Sequence, residues 1–148
     1  MSFFETPADR SDKGTLVFLQ GLTAKEWAKI YTFAEMRKFA AGDVLVRAGD
    51  GDDSFYIMTA GSAQVQVAEQ VVGQIAEGSV FGEVAFFDRQ PRSATIGALS
   101  DGSVARFSRD AFESLAAWEP VLARRILYEL GHALAIRLRA AEQRHVGA

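Results

Sequence analysis

The 148-residue sequence predicts a mainly β fold with flanking helices: a short helix, an antiparallel sandwich or barrel, and two C-terminal helices. Three observations carry that expectation. Between Phe39 and about Phe107, short runs rich in valine, isoleucine and aromatic residues are separated by Gly42, Gly49, Gly51, Gly61, Gly73, Gly78, Gly97 and Gly102, which is the punctuation of turns between strands. Ahead of this stretch a capping signature opens an amphipathic segment. Behind it the strand texture gives way to apolar residues at helical spacing.

The first element is read from Thr23-Ala-Lys-Glu26, which has the form of a capping box, with Trp27, Ile30, Tyr31 and Ala34 following on one helical face. In the β region, Ala63-Gln-Val-Gln-Val67 alternates small or apolar residues with polar ones, and Ser103-Val-Ala-Arg-Phe107 begins a second clear strand. Ser108 is placed to cap a helix from about Arg109 to Ala117, and Pro120 suits the first turn of another that runs to about Ala141. On that last helix Leu122, Ile126, Leu130, Ala133 and Leu134 share a face, with Arg124, Arg125, Arg139 and Glu142 elsewhere. Such a face needs cover, from the core or from a second copy in a homodimer. Met1 to about Lys13 and Gln143 to Ala148 are the candidates for disorder.

Composition narrows the function. The hydrophobic fraction of 49%, with 24% charged residues of both signs, is that of a globular chain, and the length suits one core. Residues 1–148 are therefore read as a single domain, its β core at about 39–107 and its C-terminal helices at about 109–141. A net charge of -3 lacks the basic excess that phosphate backbones demand, so nucleic acid is not an expected partner. The absence of cysteine removes thiolate sites and disulfides and fits a cytoplasmic protein. No signal peptide is visible in MSFFETPADR, and the most apolar stretch, SVFGEVAFF, is interrupted by Glu83, so no membrane span is expected.

The catalytic classes find no support. A metal-dependent enzyme of similar β texture needs histidines on its strands, whereas His132 and His145 lie on or beyond the last helix. Asp50-Gly-Asp-Asp-Ser54 has the look of a calcium loop, but Phe55 stands where that loop needs glycine, and the run is read as a β-turn. With no Walker loop and no nucleophile elbow, no catalytic residue, metal or enzyme activity is expected.

The informative stretch is FGEVAFFDRQPRSAT, Phe81 to Thr95. If Phe81 to Phe87 forms a turn of helix, the amides around Gly82 to Ala85 are unpaired and point one way, suited to an anion that Gly82 lets approach the backbone. Arg92 adds a planar, permanently charged donor that matches phosphate oxygens. Glu83 makes sense beside a phosphate only as an acceptor from a neighbouring hydroxyl such as a ribose 2'-OH. The pair points to a cyclic or monophosphate nucleotide.

With these residues the chain resembles the cyclic nucleotide-binding domain family, found in catabolite activator proteins, protein kinase A regulatory subunits and cyclic nucleotide-gated channels. The resemblance spans Leu19 to Ala141 and rests on Phe39-Ala-Ala-Gly-Asp43, Gly49-Asp50 leading to Ser54-Phe-Tyr-Ile57, Gly61, Glu77-Gly78, Phe81-Gly-Glu83 and Pro91-Arg-Ser-Ala-Thr95. It implies an antiparallel jelly-roll barrel with a short phosphate-cassette helix. It further implies that Glu83 binds the ribose hydroxyl and Arg92 the cyclic phosphate of cAMP or cGMP. The amides of Gly82, Glu83, Val84 and Ala94 complete the cradle, Ser93 adds a hydroxyl, and Val65 packs against the base. Tyr128, His132 and Arg137 are the lid candidates on the last helix. A separate effector protein is then expected to read ligand-driven movement of the C-terminal helices. The alternative is a degenerate fold that no longer binds ligand and serves as an interaction module.

Overall fold

The computed structural model describes residues 18–147, with side chains as far as Gln143. The region from Met1 to Lys13, expected to be disordered, lies outside the described residues. In chain order the elements are α1 (Ala24–Thr32), β1 (Glu35–Phe39), β2 (Val44–Val46), β3 (Phe55–Ala60), β4 (Ala63–Val67), β5 (Gln70–Ile75) and β6 (Val80–Phe81). Then come α2 (Glu83–Asp88), β7 (Thr95–Ala98), β8 (Gly102–Phe107), α3 (Arg109–Trp118) and α4 (Pro120–Gly147).

The helix starts follow their caps. The Thr23 hydroxyl accepts from the Glu26 amide at 3.1 Å while Glu26 Oε1 accepts from the Thr23 amide at 2.9 Å, so the box closes in both directions. Ser108 does the same for α3, its hydroxyl accepting from the Ala111 amide at 3.1 Å. Helix α4 passes its expected end near Ala141 and runs to Gly147, so 143–147, expected to fray, are helical. None of the described helices is long and apolar enough to cross a membrane.

The strands form two antiparallel four-stranded sheets, ordered β1-β8-β3-β6 and β2-β7-β4-β5. The expected jelly roll is thus realised as a roll of two facing sheets, in which β1 and β2 are edge strands of different sheets and share no ladder. Strand β3 explains how two cores coexist. Its period of two sends Phe55 and Ile57 to one side and Tyr56 and Met58 to the other, and all four are buried. Tyr56 and Met58 join Phe39, Val65, Phe81, Ile96 and Val104 in one core. Phe55 and Ile57 join Ile30, Phe112, Leu115, Leu122, Ile126, Leu130 and Ala133 in a core shared with the helices. On the apolar face of α4, Leu122, Ile126, Leu130 and Ala133 are covered by this second core, while Leu134 is half-buried.

An aromatic cluster ties the short helix α2 to that core. Phe55 stacks on Phe107 at 4.8 Å between ring centroids and meets Phe86 of α2 edge-on at 4.9 Å, while Phe86 meets Phe112 of α3 at 5.6 Å. Phe55→Ala should therefore cost about 3–5 kcal/mol in a chemical denaturation experiment, because it empties the junction of sheet, α2 and α3. A loss under about 1 kcal/mol would show that the cluster is not what seats α2.

Candidate functional site

The site is built where α2 enters from β6. Gly82 caps α2 in the left-handed region, with φ of +80°, and the first helical bond runs from the Phe86 amide to the Gly82 carbonyl at 3.3 Å. The amides of Glu83, Val84 and Ala85 precede that bond and form the first turn. Glycine is required here twice over. A Cβ on Gly82 would lie 2.9 Å from Arg92 Nη1 and 3.0 Å from the Ser54 carbonyl oxygen, besides being strained at this φ. On the side where a Cβ would stand, the close approach that the sequence suggested for a ligand is made by the guanidinium of Arg92 itself.

Arg92 is a buried cation, 7% exposed. Its Nη1 donates to the Gly82 carbonyl at 2.8 Å, and its Nη2 donates to the Ser54 carbonyl at 2.6 Å and to Asp52 Oδ2 at 3.0 Å. Three N–H groups are thereby taken, leaving Nε–H and one Nη1–H, and Nε has no acceptor among the described residues. The guanidinium also lies over the Tyr56 ring, 5.9 Å from its centroid.

Asp52 is the counter-charge that makes this burial tolerable. Besides Arg92 it accepts from the Tyr56 hydroxyl at 2.6 Å, the Ser54 amide at 3.1 Å and Arg106 at 3.2 Å, and Arg106 continues to Glu35 at 3.2 Å. Burial opposes the charge of Asp52, but the hydrogen bonds from Tyr56, Ser54 and Arg92 outweigh it and hold the carboxyl well below the usual carboxylate range.

Glu83, the first residue of α2, is completely buried. Its Oε2 accepts from Nη1 of Arg137 on α4, and Arg137 also donates from Nη2 to the Val80 carbonyl at 2.8 Å. Glu83 Oε1 has no partner among the described residues. A second arginine steadies the far end of α2: Arg109, opening α3, donates to the Phe86 carbonyl, covers the Phe86 ring at 4.8 Å and approaches Asp53 at 3.9 Å.

A cleft of about 190 Å³ lies against this assembly, lined by Gly82, Val84, Ala85, Arg92 and Ser93 together with the Asp88–Pro91 side. Of the expected site residues, Gly82, Val84, Arg92 and Ser93 thus converge on one cleft. Glu83, completely buried at the first turn of α2, does not line the cleft. Ala94 and Val65 belong to the core between the sheets and do not line the cleft. Among the lid candidates, Arg137 is buried against Glu83, while Tyr128 is exposed and the exposed His132 pairs with Glu129 at 3.8 Å.

Sequence reading missed Asp52, taken only as part of a turn, and left Arg137 unranked. Arg137 carried a usable signal: it continues the buried stripe Ile126, Leu130, Ala133 at helical spacing, and an arginine in such a stripe requires a buried acid. Asp52 carried none for its charge role, because the cations it pairs with, Arg92 and Arg106, lie far along the chain.

Since folding lowers the carboxyl pKa of Asp52, its stabilisation is complete above the ordinary carboxylate value of about 4 and drains away as pH falls below it. Wild type should accordingly be more stable than Asp52→Asn at pH 7, and the gap in denaturation midpoints should close between about pH 5 and pH 2. A gap independent of pH would refute the charge role.

The family model described as Cyclic nucleotide-binding domain matches residues 36–117. A cAMP-dependent protein kinase regulatory subunit of Hypocrea atroviridis is 38% identical over 110 residues, which are 74% of this chain and 24% of that protein, so the chain spans about a quarter of this curated relative's length. Among solved structures, a cyclic nucleotide-binding domain from Methylobacillus flagellatus superposes with a TM-score of 0.77 at 24% identity, covering 96% of this chain and 86% of that one. A cAMP-bound PfPKA-R structure gives 0.60 at 26% identity, covering 79% and 44%. Matched across its β core and its cassette, the chain belongs to the cyclic nucleotide-binding domain family.

Proposed function

We propose that the cleft binds a cyclic nucleotide, cAMP first among them, and that its occupancy is passed to a separate effector protein through α4. The observation that carries this reading is Glu83: a buried carboxylate at the first turn of α2, one oxygen held by Arg137 of α4 and the other without a partner. A buried acceptor left open costs free energy that a hydroxyl donor would recover, and a ribose 2'-OH is such a donor. The cyclic phosphate is assigned to Arg92, whose Nε–H and remaining Nη1–H are unused, with the amides of Gly82 to Val84 and the Ser93 hydroxyl completing the cradle.

The cleft is smaller than the 300 Å³ or so at which drug-sized pockets begin, and its lining carries the groups proposed for the phosphate. The Glu83 carboxylate, the Ala94 amide of the cradle and the base contact of Val65 all stand outside the lining of the cleft, so this reading requires the roll to open locally around the ligand. cAMP is placed first by the name of the kinase regulatory relative, while Ser93 keeps the hydroxyl of the threonine that favours cGMP in many family members and does not decide between the two.

Transmission follows from shared atoms. Ligand and helix would hold the two oxygens of one carboxylate, so a change at one oxygen is felt at the other. Nucleotide shifts the position of α4 only to the extent that its contacts differ between the two helix positions. The module is regulatory, and no catalytic role is assigned to any residue. The exposed side of α4, with Val121, Tyr128 and Leu138, offers a seam for a homodimer, to be tested by sedimentation.

Unfolding recorded with cAMP, cGMP and 5'-AMP on nucleotide-stripped protein tests the reading. Ligand at 100 times its dissociation constant should add about 2.7 kcal/mol, and no shift with any of them at millimolar concentration would favour the interaction-module reading. Arg92→Ala should weaken binding about thirtyfold to several thousandfold, with Arg92→Lys keeping the charge but not the fork. Glu83→Gln should erode the preference for cAMP over its 2'-deoxy analogue. Unchanged discrimination in a folded Glu83→Gln protein would remove the ribose assignment.

A further inference from the structure

A second cavity, of about 450 Å³, opens between the edge strands β1 and β2, away from the cassette residues that line the first cleft. Its floor is apolar, with Phe39, Tyr56 and Val104 contributed from the core between the sheets. Its rim is basic, with Arg37, Lys38 and Arg47 from the two edge strands and the turn after β2. Arg37 shares its strand face with Phe39, by the period of two, and pairs with Glu35 at 3.0 Å. The side chains of Lys38 and Arg47 have no hydrogen bond or ion pair among the described residues. The one carboxylate of the lining, Asp43, is already engaged, accepting from the Ala40 amide at 2.9 Å.

Volume, floor and rim together define a ligand. A cavity inside the 300–1,000 Å³ range of small-molecule sites, with an apolar floor beneath polar and cationic walls, holds a small apolar body and orients it by its charged end. Guanidinium groups at the mouth select a carboxylate or a phosphate for that end. We propose that this cavity is a second ligand site, taking a small amphipathic anion: one carboxylate or phosphate head at the basic rim, and an aromatic or short acyl body on Phe39, Tyr56 and Val104. The site shares no lining residue with the nucleotide cleft, and its ligand needs neither ribose nor cyclic phosphate.

Phenyl phosphate is a suitable probe, with inorganic phosphate and benzyl alcohol as the head and the body alone. Titrated into the nitrogen-15-labelled, nucleotide-free full chain, it should produce saturable amide shifts at Phe39, Leu45 and Val104. Neither control should reproduce them at equal concentration. Arg47→Glu should weaken the probe at least about tenfold. Val44→Trp, made at an exposed position of the lining, should block the cavity while leaving the unfolding midpoint near wild type. Shifts that fail to saturate, that centre on Gly82 and Arg92, that inorganic phosphate reproduces, or that survive Arg47→Glu unchanged would each overturn the assignment.

Discussion

A guanidinium cannot be removed from water unless acceptors meet it on several sides, and the way Arg92 meets this demand organises everything around it. Its three acceptors come from two distant stretches: the Gly82 carbonyl at the start of α2, and the Asp52 carboxylate with the Ser54 carbonyl in the turn that leads into β3. Each stretch is fixed by something else. Gly82 must be glycine to let the charge approach, β3 is sealed on both faces, and Asp52 is itself bound by Tyr56 and Arg106. A charge that was merely compensated on the surface would impose none of this.

The second buried pair, Glu83 with Arg137, joins different parts of the molecule. Its carboxylate belongs to a helix of only six residues, too short to be stable alone, and its guanidinium to the longest helix in the fold. Helix α4 is seated first by its apolar stripe, which brings Arg137 into the interior one turn beyond Ala133. A buried pair of this kind contributes less to stability than it appears to on a distance list, since desolvation consumes much of the attraction. What it does contribute is a defined position for α4 relative to the cassette, which is what a family of ligand-responsive domains requires.

Much of this was legible in the sequence because it is local. The Thr23 box, the Ser108 cap, the alternation of β4 and the glycine-punctuated β region are all set by neighbours within a few residues, and the cassette from Phe81 to Thr95 is nearly contiguous. What was not legible depends on long separations. The division of the strands into two sheets is a matter of which edges remain unpaired, and Asp52 reaches Arg92 across the whole of β3 to α2. The α4 end was placed early because the apolar stripe weakens after Ala141, whereas helical backbone continues to Gly147 once the helix is established.

Strand β3 has one further consequence. Its two faces serve separate cores, its leading carbonyl holds Arg92, and Tyr56 reaches both the Asp52 network and the wall of the cavity between β1 and β2. Stability and the geometry of the candidate site are therefore not separate dials in this domain. An engineer who repacks β3 for heat resistance will disturb the seat of Arg92 at the same stroke, because one strand carries both.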